Sequence, residues 1–275
     1  MKMIEASDRI ENKSEFDLDW DDSHVVPSTV YPDLAFLFRQ LEEVTLRKVN
    51  AKGGEEILDI GCGRATDAME LAQKSGRCCG LEPSENMILH ARDIIHQNGT
   101  EVVLLRGIGE HLPIKNSSFD KVVCKGALDH FACPTKAVEE MARILRPQGK
   151  AIIAVANLES FSCRLGRSMF IRFRKLLRRE ESIYEKMWET PFDHTYRFDY
   201  ASLRCLVEPY LEVEQCYGVS LLFGLPWWGM LLNKMPRRIS LAILNILDKV
   251  ARRLPSLSDA IVIECSPKPR ENAPH

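Results

Sequence analysis

The sequence predicts an α/β fold: a mainly parallel sheet with helices on both faces. Two observations carry that prediction. Between residues 55 and 156, strand-length apolar runs alternate with helical stretches, which is the rhythm of β-α-β units. The runs are apolar almost throughout instead of alternating with polar residues, as expected of strands buried on both faces.

The elements follow in order. Residues 1–29 carry eight acids against three bases and little periodicity, and read as an N-terminal arm. Leu34, Leu37, Phe38, Leu41 and Val44 recur at helical spacing and predict a first helix over 32–50. Strands are predicted at 55–60, 77–82, 102–107, 119–126 and 150–156, with helices near 64–75, 84–97 and 134–146. Pro147 and Gly149 punctuate the last of these helices before its strand. From about residue 158 the pattern turns helical and basic. A helix near 199–209, a strand near 211–217 and a final strand at 260–266 complete the sheet. Two helical insertions, at about 158–198 and 226–255, interrupt a domain spanning 30–267. Residues 268–275 read as a disordered tail.

Composition narrows the function. A net charge of −2, with 45% hydrophobic and 28% charged residues, describes a globular protein and gives no general basis for binding a polyanion. Met1–Asp22 is polar and acidic, unlike a signal segment, and no apolar run is long enough to span a bilayer. Nine scattered cysteines without a C-x-x-C pair read as reduced, mostly buried thiols in a cytoplasmic setting. No metal site is expected.

The stretch "ILDIGCGRATDAMELA" (57–72) places a glycine turn between a strand and a helix. Such a turn lets backbone N–H groups and a helix N-terminus approach a ligand closely. It fits a nucleotide or an amino-acid carboxylate. Thr66 stands where a dinucleotide-binding fingerprint has its third glycine, which weakens the pyrophosphate reading. Asp59 could answer an ammonium group. Glu82, at the end of the second strand and 21 residues after Gly61, could accept hydrogen bonds from both ribose hydroxyls.

With "GLEPSENMILHAR" (80–92), "LLRGIGEHLPIKNSSFDKVVCKGALDHF" (104–131) and "AVEEMARILRPQGKAIIA" (137–154), this stretch resembles the ordered motifs of class I S-adenosylmethionine-dependent methyltransferases of the small-molecule, type 11-like group. The resemblance covers about 30–267. It implies a Rossmann-like sheet of seven strands, mainly parallel with the last antiparallel, and S-adenosylmethionine as cofactor. It implies that Gly61, Cys62 and Gly63 shape the loop under the methionine part, with Asp59 near its amino group. Glu82 would hold the ribose, Pro83, Ser84 and Met87 would line the adenine side, and Gly109 and Glu110 would meet the adenine edge. Lys125 and Gly126 would end the fourth strand beside the methionine part. The chain departs from the family at Ile108, where an Asp often takes the adenine amino group; Glu110 or a backbone carbonyl would substitute.

Methyl transfer from a sulfonium needs positioning above all, and a base only where the nucleophile must lose a proton. Candidate bases are Asp129 and His130 in "GALDHF", and Asp193, His194 and Tyr196 in "PFDHTYRFD". The segment after the fourth strand lacks the D/N-P-P-Y/F pattern that clamps a nucleobase amine, which argues against nucleic acid as acceptor. Alternatives are a non-catalytic S-adenosylmethionine-binding regulator and an RNA-modifying enzyme. The insertions carry the acceptor question. Residues 163–180 are basic and apolar. Residues 226–255 place Trp228, Leu231, Leu232, Met235, Ile239, Ala242, Ile243, Ile246 and Val250 at helical spacing beside Arg237, Arg238, Lys249, Arg252 and Arg253. Either the apolar stripe packs on the fold, or these helices form a lid over a hydrophobic, lipid-like acceptor and touch a membrane.

Overall fold

The computed structural model describes residues 30–177 and 195–269. The arm expected over 1–29, residues 178–194 with Asp193 and His194, and residues 270–275 of the tail lie outside the described residues.

The chain enters through helix α1 (Pro32–Val49), then β1 (Ile57–Ile60), α2 (Thr66–Ser75), β2 (Cys78–Glu82), α3 (Glu85–Asn98) and β3 (Val103–Arg106). It continues through β4 (Phe119–Lys125), a 3₁₀ turn (Leu128–His130), α4 (Pro134–Ile144) and β5 (Leu145–Ala156). Then come α5 (Phe161–Leu177), α6 (Tyr200–Val207), β6 (Leu211–Val219), α7 (Trp228–Lys234), α8 (Arg237–Ala251) and β7 (Ala260–Pro267). The seven strands form one sheet in the order β3-β2-β1-β4-β5-β7-β6. β7 runs antiparallel to both β5 and β6, and the other strand pairs are parallel. This is the sheet that the motifs imply.

Strand period 2 distributes the core. Leu58, Ile60, Val122, Cys124, Ile153, Val155, Ile261 and Ile263 pack on one face with residues of α4 and α6. Ile57, Val123, Ile152, Ala154 and Val262 pack on the other with residues of α1 and α2. Both faces are apolar because both are covered. Strand order reverses between β1 and β4, so the crevice beyond their carboxyl ends is the place for a ligand.

Two elements differ from the sequence reading. β5 starts at Leu145, five residues early, because α4 ends at Ile144 and the chain pairs with Phe119 at once. Pro147 and Gly149 therefore lie inside the extended segment. The second difference is the orientation of α8. Its buried residues are Ser240, Leu244, Asp248 and Ala251, while Ile239, Ala242, Ile246 and Val250 of the apolar stripe are exposed, as is Leu231 on α7. The stripe does not pack on the fold as a unit. Leu232 alone of its residues is fully buried, against Phe36 and Leu244.

Candidate functional site

β1, β2 and β4 deliver the site residues to one edge. β1 ends in buried Asp59 and Ile60, and the chain turns through Gly61 (φ 71°) and Gly63 (φ 52°) into α2. A Cβ on Gly61 would lie 2.4 Å from that of Ala127, so a glycine is required there on two counts: close approach and left-handed backbone. The turn is pinned from β2: the N–H groups of Gly61 and Cys62 donate to Leu81 O at 2.8 and 3.1 Å. Ala65, at φ 59°, caps α2 without a side-chain bond, leaving the first N–H groups of that helix directed at the crevice.

Glu82 is buried and fixed. Gly63 N–H donates to Oε2 and Ser84 N–H to Oε1, each at 3.0 Å. Burial raises its pKa, against those two N–H donors and the charge of His130. Ser84 caps α3 by accepting Met87 N–H at 3.3 Å. The buried Met87 side chain lies 3.5 Å from where a Gly63 Cβ would be. Pro83 lies between, its carbonyl accepting from Arg106 Nε at 3.3 Å.

Asp59 is the most perturbed carboxyl of the site. Burial pushes it up to about 8, helped by the charges of Asp67 and Glu82 and opposed by Lys125. Lys125 Nζ, at the end of β4, reaches Asp67 Oδ1 at 2.9 Å. Asp67, which the sequence reading did not include, is buried in the first turn of α2. It lies six residues after Gly61, and no motif or spacing in the sequence marked it. Asp59 and Asp67 thus share one lysine, and the charge of Glu82 adds to theirs at Asp59. Such a set suits a ligand with cationic groups and disfavours a pyrophosphate. S-adenosylmethionine carries a sulfonium and an ammonium, and these residues fit it. The Cys62 thiol is pushed up strongly by burial, Asp59 and Glu82, which keeps it protonated and inert.

Gly109 packs against Phe131, whose ring would be 2.9 Å from an added Cβ. Glu110 is buried and accepts the Cys133 N–H at 3.2 Å, so one of its oxygens serves the start of α4. Gly126 (φ 63°) turns the chain out of β4, its N–H donating to Ala154 O at 2.8 Å. Asp129 is buried in the 3₁₀ turn, and its carbonyl accepts Thr195 and Tyr196 N–H at 2.8 and 3.1 Å. It thereby ties the segment after residue 194 to the site. His130 is half-buried beside it, near enough to Glu82 to lower that group's pKa.

The site edge continues through residues that no motif marked. Asp259, just before β7, accepts from Ser162 Oγ and from Phe223 N–H at 2.9 Å. Ser162 Oγ also accepts Leu222 N–H at 3.0 Å, and Asp33 accepts Gly224 N–H at 3.3 Å. These bonds hold a loop in which Ser220, Leu222 and Trp227 all have left-handed backbone, a conformation that is uncommon away from glycine. Burial pushes Asp259 up to about 6.

Residues 58–153 match the family model for a methyltransferase domain. The methyltransferase GfsG of Streptomyces halstedii is 32% identical over 131 residues, covering 46% of this chain and 47% of that protein. The demethylmenaquinone methyltransferase of Bacillus subtilis is 29% identical over 140 residues, covering 49% and 60%. The chain spans about half the length of the curated relatives it matches. The crystal structure of a SAM-dependent methyltransferase from Aquifex aeolicus shares the fold at TM-score 0.53 and 15% identity, covering 85% of this chain and 92% of that one. The glycine turn and the acid-lined crevice thus lie within the part of the chain that matches a methyltransferase domain, and the sheet around them has the fold shared with that solved methyltransferase.

Proposed function

We propose that this protein transfers a methyl group from S-adenosylmethionine to a small, hydrophobic acceptor, with residues 30–267 working as one unit. The observation that carries the reading is the acidic crevice of Asp59, Asp67 and Glu82 around a left-handed glycine turn. The bound cofactor supplies a methyl carbon already activated for in-line displacement. The chain's part is to hold and orient it. The N–H groups of Gly61, Cys62 and Gly63 are taken by Leu81 and Glu82, so the first turn of α2, which has no side-chain cap, receives the carboxylate end, and Asp59 takes the ammonium. Glu82, fixed by two N–H donors, keeps lone pairs for the ribose hydroxyls. Met87 and the backbone at Gly109 flank the adenine, and Lys125 sets the position of Asp67.

The acceptor class is supported by the demethylmenaquinone methyltransferase among the relatives, a protein named for a small organic acceptor. His130 and Asp129 are the candidates for moving an acceptor proton, with His194 beyond the described residues. The test is calorimetric binding of S-adenosylhomocysteine, followed by turnover against a panel of small phenols, quinols and amines. Binding with Asp59→Asn weaker than wild type, together with a methylated product, is the expected result. Tight binding of a nicotinamide dinucleotide in place of S-adenosylhomocysteine would refute the reading.

A further inference from the structure

The apolar stripe of α8 faces outward. The buried face of α8 is partly polar: Asp248 accepts Ser220 N–H at 3.1 Å and pairs with Arg252, which also reaches Gln40 at 3.1 Å. At 3.6 residues per turn, the exposed set Ile239, Ala242, Ile246 and Val250 points about 150° away from that face. Ile246 is 61% exposed and Ile239 51%. Trp227, just before α7, and Met230 and Leu231 on it are also exposed, Trp227 at 61%, and at helical spacing they fall on one side with Lys234.

Charge selects the occupant. Between residues 227 and 254 there are six bases and one acid, in a chain whose net charge is −2. The acid is buried Asp248, while Lys234, Arg237, Arg238, Lys249, Arg252 and Arg253 are exposed. Arg238, Lys249 and Arg253 border the stripe along one edge. A second copy of this chain docking the same face would bring like charges together. An anionic lipid surface answers both features, because apolar side chains enter the acyl boundary while flanking bases meet the headgroups. No described helix is long and apolar enough to cross a membrane, so α7 and α8 would lie in the interface.

We propose that the outer faces of α7 and α8 dock on an anionic phospholipid surface. β6 runs parallel to β1 and β4, so α7 follows it from the carboxyl edge of the sheet, the edge that carries the site. Docking there brings the crevice beside the bilayer, where a lipid-dissolved acceptor is available. That last consequence rests on the methyl-transfer reading; the docking itself does not.

The test is sedimentation of the full chain with phosphatidylcholine vesicles, with and without phosphatidylglycerol. Binding only to the anionic vesicles, lost at about 1 M salt, is expected. Arg238→Glu with Lys249→Glu should weaken it at least about 25-fold, since each base near the surface contributes about fivefold. Ile246→Ser should weaken it about tenfold while leaving the charges in place. Both variants change exposed side chains, so their melting curves and S-adenosylhomocysteine binding should match wild type. These two readouts separate failed docking from failed cofactor binding. Absence of partition, or partition that neither variant weakens, overturns the proposal. So does a dimer in light scattering that Ile246→Ser dissolves, which would make a second copy the occupant.

Discussion

Replacing Gly61 by alanine probes the turn most directly. The new Cβ would stand 2.4 Å from the Cβ of Ala127, and the residue would keep φ near 71°. Left-handed backbone costs an alanine about 1–2 kcal/mol. The overlap, more than 1 Å inside the usual contact of roughly 3.5–4.0 Å, adds about 1–3 kcal/mol by forcing β1 and the loop after β4 apart. Lost freedom in the unfolded chain returns about 0.4–1 kcal/mol. Gly61→Ala should therefore lower the free energy of unfolding by roughly 2–4 kcal/mol in urea titration, and weaken S-adenosylhomocysteine binding because the turn moves. The double variant with Ala127→Gly removes the overlap but not the dihedral strain. A double-mutant cycle should give a favourable coupling of about 1–3 kcal/mol. Additivity within about 0.5 kcal/mol, or an unchanged stability for the single variant, would refute the close approach as the reason for the glycine.

Three further outcomes follow from the buried acids. Asp59 has a pKa raised from 3.8 to about 8, so its contribution to stability is present below pH 3.8 and lost as pH rises to about 8. Asp59→Asn should make the unliganded protein more stable near pH 8 and reduce its thermal shift with S-adenosylhomocysteine; a destabilised variant with full binding would contradict this. Asp259 is raised from 3.8 to about 6, which loses about 3 kcal/mol between those values at roughly 1.4 kcal/mol per unit. The stability of Asp259→Asn relative to wild type should rise by that order from pH 4 to 7 in urea titrations, and a flat difference would rule out Asp259 as the titrating group. Glu82→Gln replaces an oxygen that accepts an N–H with an amide that cannot, and should cost about 1–3 kcal/mol of stability together with cofactor binding. A neutral effect on both would remove Glu82 from the site.

The strands and helices were legible because each leaves a local signature: apolar runs for buried strands, helical spacing for α1 to α4, and glycines where φ turns positive. The glycine turn and the acids beside it were legible for the same reason, since Asp59, Gly61, Gly63 and Glu82 fall at strand ends that the period identifies. Asp67 was not read because nothing in the chain shows that the first turn of α2 meets Lys125. Glu110 was read as an adenine contact, yet its Oε1 takes the N–H of Cys133, 23 positions away.

By itself the sequence determined the sheet and the glycine turn, because these depend on residue type at short spacing. Tertiary structure decided what faces what. It joined Asp33, Ser162 and Asp259 around the loop at 220–227, residues that are separated along the chain by whole elements. It also turned α8 so that Asp248 is buried and Ile246 exposed. Helical period shows that a stripe exists; only packing shows which side of the helix the fold covers.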